Sequence, residues 1–454
     1  MKIKFLLLIT TVLTLSLLLC SCNKNEAAKE KRTLNVYNWG EYISNEDDAE
    51  YGLIDVNKAF EIYCKDTLGY EVKVNYSTYA TNEDMYSKLK NGAVKYDIVI
   101  PSDYMIQKMI SEGMLKAIDV SNLSNYSNIN EKILEKARNS YDYDPTHPEN
   151  TYSVPYTYGM LGIIYNKNYV SEQDVAGYSW DLLWNANYKG KILQFNNPRD
   201  AFATAMYKES LDVNSHNPED WNMALDELIK QKPLLQGYVN DEIFNKMKGN
   251  SAYIAPYFAG DYLTMASDNN ALRFYYPSEG TNYFVDAMCI PEKSENEDLA
   301  MEYINFMLSL EIGRANALYI GYATPNEAVK NDETYQALLS DSYDIVDDDD
   351  TVLVDAYKTL YEIETGYLYT SYANYYKGIY EGDGPYNGQM VDIQSHVNSL
   401  WEKLKIESST EPWIHVTSIA IVVGVLSLAT YSVYIKKKRS RDYRLRDKMK
   451  QIKK

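Results

Sequence analysis

The sequence predicts an α/β protein built from two lobes with parallel or mixed sheets. Strand-like and helix-like hydrophobic patterns alternate along the chain, which predicts sheets covered by helices. The folded part is longer than one such sheet needs, and no repeat of about 20 to 50 residues is present, so two lobes are favoured over a solenoid. In sheets of this kind, ligands bind beyond the carboxyl ends of the strands.

The first third of the chain shows the alternation clearly. Residues 23–32 are polar and non-periodic and predict a tether, so the folded part should begin near Thr33. The elements expected next are strand Leu34–Tyr37, helix Ile54–Tyr63, strand Glu71–Ser77, helix Asp84–Leu89 and strand Tyr96–Pro101. The loops that follow Tyr37 and Ile100 are therefore candidate site loops.

The same alternation continues through the rest of the body. The strands expected there are Gly162–Asn166, Lys191–Gln194, Ala252–Ala255 and Met288–Pro291. Helical patterns cover Glu219–Lys230 and Leu299–Leu308. The acidic run Asp347–Asp350 is expected to be a solvated loop, because it lacks the ligand spacing of a calcium loop.

The N-terminus predicts a secretory signal over residues 1–22. Two lysines precede an apolar run, Phe5–Leu19, which ends in Cys-Ser-Cys. This ending resembles a bacterial lipoprotein signal, in which the cysteine carries the lipid. Cys22 fits better than Cys20, because the residue before Cys20 is the bulky Leu19. A plain signal peptide with two incidental cysteines is the alternative.

The C-terminus predicts a second membrane attachment. Residues 413–435 contain no Asp, Glu, Lys or Arg, and 23 residues at about 1.5 Å each can cross a hydrocarbon core of about 30 Å. Trp413 opens this stretch, Tyr431 and Tyr434 close it, and a basic tail over residues 436–454 follows. The expected arrangement is an extracytoplasmic body on a cell membrane with a cytoplasmic tail.

Charge and composition restrict the class of ligand. The formal net charge is −19; once the basic tail (+9) and the signal (+2) are set apart, residues 23–435 carry −30. This argues against nucleic acid, whose binders present a basic face. The chain also has 45 tyrosines, and an acidic, tyrosine-rich body weakly favours cationic or polyhydroxylated ligands.

The search for catalytic chemistry finds little. There is no Gly-rich phosphate loop, no Cys/His cluster with zinc spacing and no Gly-x-Ser-x-Gly elbow, so neither a cofactor nor a metal is expected. Paired carboxylates that could hydrolyse a glycoside remain possible among the many acids. Cys64 and Cys289 could pair or stay as two free thiols.

Several segments resemble the spermidine/putrescine-binding proteins of bacterial ABC importers. The similar segments are, in order, VYNWGEY at 36–42, YSTY at 76–79, NEDMYSKL at 82–89, YDIVIPSDY at 96–104, SVPY at 153–156, WDLLW at 180–184, YKG at 188–190, DAMCIP at 286–291, INF at 304–306 and IGYATPN at 320–326. Their collinear order over roughly residues 34–380 carries the resemblance, because a single tyrosine match is expected by chance.

The resemblance implies a hinged, two-lobed fold of the periplasmic-binding-protein type (type II) with a polyamine in the interlobe cleft. The lobe limits expected from it are 33–158 for lobe 1, 159–282 for lobe 2, and 283–412 for the return to lobe 1 and the C-terminal helices. The transmembrane helix departs from this family. It is expected to tether the receptor near its permease, with a sensor that signals inward as the alternative.

The resemblance also implies the site residues. In this family aromatic rings surround the methylene chain and carboxylates bind the ammonium groups. Asp286 matches the principal ammonium ligand, while Asn197 stands where the family has an acid. The matching positions are Trp39, Tyr42, Ser102, Tyr104, Asn197, Asp200, Phe258, Phe284, Asp286, Tyr322 and Glu362. Phe258 and Phe284 stand where tryptophan is usual and present weaker cation–π faces. Glu362 is expected to restore the carboxylate missing at Asn197.

The expected function is therefore capture of putrescine or spermidine by cleft closure, without catalysis, and delivery to an ABC permease with its ATPase. A sugar-binding lipoprotein or a surface glycosidase is the alternative, because sugars also stack on aromatic rings and bond to acids.

Overall fold

A ten-stranded mixed sheet runs through the protein in the computed structural model, which describes residues 31–92, 94–347, 349, 351–363, 368–370, 379–380 and 391–407. The strands of this sheet are β1 (Lys31–Trp39), β2 (Glu71–Tyr79), β3 (Ile98–Val99), β4 (Ser153–Asn166), β5 (Ile192–Phe195), β6 (Leu235–Val239), β7 (Ile254–Phe258), β8 (Leu272–Tyr275), β9 (Thr281–Cys289) and, as a later addition, Leu368–Thr370. Their order is β2-β1-β3-β9-β4-β7-β5-β6, with β8 beside β4 and Leu368–Thr370 beside β9. The α/β class with a mixed sheet is confirmed.

Parallel pairs occupy both ends of this sheet. At one end β1 pairs with β2 and β3, and at the other β5 pairs with β6 and β7. Parallel strands need crossover connections, and helices supply them. The carboxyl ends of these strands therefore lead into the loops from which a site can be built.

Two antiparallel strands join the halves. The first part of β4, from Ser153 to Met160, pairs with β9, whereas its second part, from Leu161 onward, pairs with β7 and β8. Both strands are almost entirely buried. The chain thus crosses between the halves near residues 158–161, next to the lobe limit expected at 158/159.

Helices connect the strands and pack against the sheet. Those before β4 are Val56–Tyr63, Asn82–Asn91, Asp103–Ser111 and Glu131–Ser140. Those between β4 and β9 are Glu172–Val175, Pro198–Lys208, Pro218–Gln231, Glu242–Lys248 and Ala259–Asp268. Those after β9 are Glu297–Met307, Leu310–Ile320, Glu327–Lys330, Glu333–Tyr343, Ala356–Tyr361 and Ile393–Glu407.

The last described helix, Ile393–Glu407, lies on the half formed between β4 and β9. It packs against helix Pro218–Gln231, where His396 hydrogen-bonds Asn222 at 3.2 Å, and the ammonium of Lys232 donates to the carbonyl oxygen of Leu404. The C-terminal part of the chain therefore returns past the first half and closes on the second.

Two short antiparallel strand pairs lie outside the main sheet. Ile345–Val346 pairs with Val352–Val354, and Ile379–Tyr380 pairs with Val391–Asp392. The acidic run expected to be a solvated loop joins the first pair, and its described residue Asp347 caps the turn by accepting from the amides of Asp349 and Thr351.

Some boundaries expected from the sequence are corrected. The tether ends earlier than residue 32, because Lys31 and Arg32 belong to β1 and the Arg32 guanidinium makes two hydrogen bonds with Asp298, at 2.6 and 2.7 Å. Strand Tyr96–Pro101 shortens to Ile98–Val99, while the strands expected at Gly162–Asn166 and Met288–Pro291 begin well before those positions.

The predictions for the two ends of the chain fall outside the described residues. They are the signal sequence, the lipid attachment at Cys22, the helix at 413–435 and the basic tail. Within the described residues, no helix combines the length and the apolar character needed to span a membrane. Cys64 and Cys289 are both buried and free, so they do not form a disulfide with each other.

Candidate functional site

A cavity of about 620 Å³ opens between the two halves of the sheet. Its wall comes from segments 39–42, 80–83, 102–104, 195–200, 240–248, 257–264, 282–286 and 319–322. Six of these segments begin at or just after the carboxyl ends of β1, β2, β3, β5, β6 and β7, as the topology predicts. β9 crosses the cavity between them and contributes alternate side chains to its wall, Asn282, Phe284 and Asp286.

A set of aromatic rings lines the cavity from both sides. Tyr42 and Tyr322 meet edge to face with centroids 5.3 Å apart, and Phe258 and Phe284 do so at 5.1 Å. Phe284 also lies 6.1 Å from Tyr322, which joins the two pairs. Edge-to-face contacts of this kind hold rings in fixed orientations, and the exposed faces are suited to a cation or a methylene chain.

Two glycines make this ring packing possible. A methyl group at Gly260 would lie 2.4 Å from the Tyr322 ring, and one at Gly159 would lie 2.8 Å from the Phe284 ring. Neither position has a left-handed backbone, so the requirement is for space and not for conformation. The small residues thus set how closely the rings of Tyr322 and Phe284 approach the backbone.

Trp39 and Tyr79 fix the loop at the end of β3. The indole nitrogen of Trp39 donates to the carbonyl oxygen of Ile100 at 2.9 Å, and the Tyr79 hydroxyl donates to the same oxygen at 2.6 Å. The following residues, Ser102 and Tyr104, are both bonded by the Asn82 amide, at 3.1 and 2.9 Å. The expected loop residues are therefore held by hydrogen bonds from two neighbouring segments.

Asp286 lies on β9 in the middle of the cavity wall and is only 5% exposed. Its Oδ2 accepts a hydrogen bond from the Tyr42 hydroxyl at 2.8 Å, whereas its Oδ1 has no hydrogen-bond partner among the described residues. Burial raises the pKa of Asp286 to about 6, and the negative charge of Asp200 adds to the rise against the lowering effect of the Ser102 and Tyr42 hydroxyls. Oδ1 of Asp286 can therefore accept a hydrogen bond from a ligand or pair with a cation.

Asp200 and Asn197 form a reciprocal pair at the start of helix Pro198–Lys208. The Asn197 side-chain oxygen accepts from the amide of Asp200 at 2.8 Å and so caps the helix. Its side-chain nitrogen donates to Oδ2 of Asp200 at 2.9 Å. Burial raises the pKa of Asp200, and the Asn197 bond and Arg199 oppose that rise. Asn197 thus orients the acid beside it instead of supplying one.

Two further acids line the cavity, the buried Asp103 and the half-buried Asp261. Asp261 accepts from the Tyr322 hydroxyl at 2.7 Å, and burial raises its pKa to about 7. Asp103 accepts from the amides of Tyr104 and Val285, at 2.6 and 3.3 Å, and burial raises its pKa to about 8. Raised pKa values at several acids of one cavity are typical of binding and catalytic sites.

The cavity is strongly anionic. Seven carboxylates line it against two basic side chains, and both bases are engaged elsewhere: Arg199 donates to the carbonyl oxygen of Val213 at 2.6 Å, and Lys248 to Asp268 at 2.8 Å. The acids are Glu41, Glu83, Asp103, Asp200, Asp241, Asp261 and Asp286. Among the residues that the structure describes, no cluster of three or more His, Cys, Asp or Glu has the geometry of a metal site. The excess of acids over bases, together with the aromatic rings, suits a cationic ligand.

The structure brings ten of the eleven expected site residues into one wall. They are Trp39, Tyr42, Ser102, Tyr104, Asn197, Asp200, Phe258, Phe284, Asp286 and Tyr322. Their contact with a ligand stays a prediction. Glu362 is corrected: it is exposed at the C-terminal end of helix Ala356–Tyr361 and does not line the cavity, so it does not replace the acid absent at Asn197.

The sequence analysis did not identify five of the seven acids, Glu41, Glu83, Asp103, Asp241 and Asp261. The first three lie inside segments that resemble the family, and Asp261 directly follows the Phe258 segment, so a sequence signal was present for these four. Asp241 follows β6 in a segment that carries no local pattern. Its place in the wall depends on the order of strands in the sheet.

Comparison with known proteins gives concordant matches. Bacterial extracellular solute-binding proteins match residues 58–339. The spermidine/putrescine-binding periplasmic protein of Escherichia coli (strain K12) is 33% identical over 306 residues, which cover 67% of this chain and 80% of that protein. A solved structure of the spermidine/putrescine ABC transporter substrate-binding protein of Streptococcus pneumoniae is 30% identical with a TM-score of 0.57, and the match covers 83% of this chain and 99% of that one.

Proposed function

The chain belongs to the family of bacterial extracellular solute-binding proteins, and from this premise we propose that it is the polyamine-binding subunit of an ABC importer. It binds putrescine or spermidine in the cleft between its two halves and delivers the ligand to a membrane permease driven by an ATPase. Its relatives are named for spermidine and putrescine binding, which supports the class of ligand.

The observation that carries the proposal is Oδ1 of Asp286, which has no hydrogen-bond partner in the described part of the chain and lies in an aromatic cavity. A buried carboxylate without a partner is costly, and an ammonium group would supply the missing charge and hydrogen bond. Tyr42, Tyr322, Phe258 and Phe284 offer ring surfaces to the adjoining methylenes and to the cation, at about 0.5 to 2 kcal/mol for each cation–π contact. Neither feature requires a reaction, so the protein acts by binding alone.

Cleft closure is the mechanism that the architecture supports. The site takes Trp39, Tyr42 and Ser102 from one half and Asp200, Phe258 and Asp261 from the other, while β4 and β9 join the halves. A ligand that contacts both walls binds the closed arrangement better than an open one and shifts the population toward it. The permease would then recognise the closed form.

Membrane attachment is part of the same proposal. A lipid on Cys22 and a helix at 413–435 would hold the body on the extracytoplasmic side, beside the permease, at a high effective concentration. Labelling with a radioactive fatty acid tests the first anchor, since Cys22→Ala should lose the label. Polyamine uptake by cells whose protein lacks residues 413–454 tests the second, and unchanged uptake would refute tethering.

Calorimetric titration tests the binding function directly. Putrescine and spermidine should bind the purified body with a stoichiometry of one, whereas a panel of mono- and oligosaccharides should give no heat of binding. Binding or turnover of a sugar, with no polyamine binding, would replace this proposal by the sugar-binding or glycosidase alternative that the same composition allows.

A further inference from the structure

A relay of three buried side chains ends at the Asp286 carboxylate. The Thr157 hydroxyl lies 2.6 Å from the Tyr42 hydroxyl, and the Tyr42 hydroxyl donates to Oδ2 of Asp286 at 2.8 Å. The exposed fractions of Thr157, Tyr42 and Asp286 are 2%, 7% and 5%. Tyr42 and Asp286 line the cavity, whereas Thr157 lies behind them and is linked to the carboxylate by way of Tyr42.

The direction of the two hydrogen bonds follows from the number of hydrogens available. A tyrosine hydroxyl carries one hydrogen, and Tyr42 gives it to the ionised Asp286. The bond between Thr157 and Tyr42 allows either donor by its geometry, so Thr157 must be the one that donates. A hydroxyl that accepts a hydrogen bond becomes a stronger donor in turn. Thr157 therefore strengthens the bond that Tyr42 makes to the carboxylate.

The backbone of β4 places Thr157 for this role. Its pairing with β9 shifts by one residue between Pro155 and Thr157, so that Thr157 stands directly opposite Asp286. Tyr42 is held independently of Thr157, because the Tyr156 hydroxyl donates to the Tyr42 carbonyl oxygen at 2.6 Å and the two rings meet with centroids 5.7 Å apart. Loss of the Thr157 hydroxyl should thus change the hydrogen bonding of Tyr42 without moving its ring.

We propose that Thr157 is a positioning residue for polyamine binding, which acts through the Tyr42 hydroxyl to keep Asp286 ionised for the ligand. A protonated carboxyl group reverses the relay, since Asp286 then donates to Tyr42 and Tyr42 to Thr157, and it cannot form an ion pair with an ammonium group. The forward relay favours the ionised form against the cost of burial. This inference rests on the proposed function and deepens it.

Other groups also act on the charge of Asp286, and they stay the same when Thr157 is replaced. The Ser102 hydroxyl lowers the pKa of Asp286, as the Tyr42 hydroxyl does, and the charge of Asp200 raises it. Burial raises the pKa of every titratable side chain that interacts with Asp286, namely Tyr42, Tyr79, Asp103, Tyr156 and Asp200. A difference between Thr157 variants therefore reports on the relay.

The titration of Asp286 in the ligand-free protein tests the relay without a polyamine. In protein labelled with ¹³C at the aspartate carboxyl groups, NMR follows each titration, and the Asp286 signal is the one that Asp286→Asn removes. Thr157→Val should raise the Asp286 midpoint by about half a pH unit. Thr157→Ala removes the same hydroxyl without adding a methyl group and should give a shift in the same direction, whereas Thr157→Ser should restore the original midpoint.

The matched control is Thr281→Val. Thr281 is equally buried and lies on β9, but its hydroxyl donates to the carbonyl oxygen of Leu161 at 2.6 Å and takes no part in the relay. Its loss should leave the Asp286 midpoint unchanged. A shift as large as that of Thr157→Val would mean that the loss of any buried hydroxyl moves the midpoint, and would overturn the inference.

A second background separates the relay from a simple effect of burial. Valine is more apolar than threonine and could raise the midpoint of Asp286 by desolvation alone. In a Tyr42→Phe protein the middle of the relay is missing, so Thr157→Val should then add no further shift, whereas an effect of desolvation would persist. Equal shifts in the two backgrounds, or no shift from Thr157→Val and Thr157→Ala, would overturn the inference.

Calorimetric titration with putrescine connects the relay to binding. Since the pKa of Asp286 is about 6, a shift of about half a unit should weaken putrescine about twofold at pH 6 and leave its affinity unchanged at pH 8.5. An equal loss at both pH values would assign Thr157 a purely structural role and contradict the inference. Failure of the unmodified protein to bind either polyamine at pH 8.5 would instead overturn the proposed function, whatever the midpoint of Asp286.

Discussion

Replacing Asp286 by asparagine should weaken polyamine binding and stabilise the ligand-free protein at the same time. The substitution keeps the shape of the side chain, and its carbonyl oxygen can still accept the hydrogen bond that the Tyr42 hydroxyl gives to Oδ2 at 2.8 Å. What it removes is a buried negative charge, and it places an NH₂ group where Oδ1 now has no partner among the described residues.

The magnitudes follow from the burial. Truncating one member of a desolvated charge pair costs about 2 to 5 kcal/mol of binding, which is a rise in Kd of about 30-fold to about 5,000-fold. In the ligand-free protein the substitution should be stabilising. A pKa raised from 3.8 to about 6 means that the folded protein binds the Asp286 proton more tightly than the unfolded chain does, by about 3 kcal/mol. The free energy of unfolding therefore falls by this amount as the pH rises from about 4 through about 6, and at pH 7.5 the ionised carboxylate destabilises the fold.

Calorimetry and thermal unfolding at pH 7.5 measure both effects on one preparation. Asp286→Asn should show weaker putrescine and spermidine binding with a higher Tm in the absence of ligand, whereas the exposed control Asp226→Asn should change neither. Unchanged affinity would remove Asp286 from the site. A lower Tm of the ligand-free variant would show that the buried charge is not a cost, and would refute the argument from its unpaired oxygen.

Three further predictions concern the same cavity. Burial raises the pKa of Asp286 to about 6 and of Asp261 to about 7, so polyamine affinity should fall as the pH drops from 8 to 5. Binding at pH 7 should also release protons, which is measured as a dependence of the calorimetric enthalpy on the buffer. An affinity that does not change with pH would contradict this prediction. Gly260→Ala should displace the Tyr322 ring and lower affinity about tenfold by calorimetry, while Gly177→Ala, which meets no atom within 4 Å, serves as its control. Phe258→Trp should strengthen spermidine binding up to about fivefold, because indole gives the better cation–π face, and a loss of affinity would show that the ring packs without facing the ligand.

The sequence predicted the fold class from local alternation, and the errors fall where the alternation is hidden. β4 and β9 were expected to be four or five residues long at most, yet they span 14 and 9 residues. Both carry polar residues at positions such as Thr157 and Asp286, which resemble loop residues in the sequence. In the structure Asp286 lines the cavity, and Thr157 lies behind it in hydrogen-bond contact with the Tyr42 hydroxyl at 2.6 Å. A strand that passes a polar cleft therefore loses the hydrophobic pattern by which strands are recognised.

The residues of the candidate site could also be predicted only in part. Trp39 and Ser102 could be nominated because a strand end and a resemblance both pointed to them, and Asp286 because the resemblance did. Asp241 could not, because only the position of β6 at the far edge of the sheet brings it opposite Gly40. Glu362 shows the reverse error, in which a register inferred over a long, weakly matched segment assigned a role to an exposed side chain.

The tyrosine excess, which composition alone associates with wet surfaces, instead points to preorganisation of the site. Many tyrosines are buried, and some use their hydroxyls to bond backbone carbonyls in the segments that carry cavity residues. Tyr79 bonds the oxygen of Ile100 beside the Ser102 loop, and Tyr156 bonds the oxygen of Tyr42 itself at 2.6 Å. Each bond anchors a loop that would otherwise lose conformational freedom on binding a ligand. The rings and acids in one half of the cleft are thus already fixed before a ligand binds. Closure of the other half is then the main structural change that ligand binding must drive.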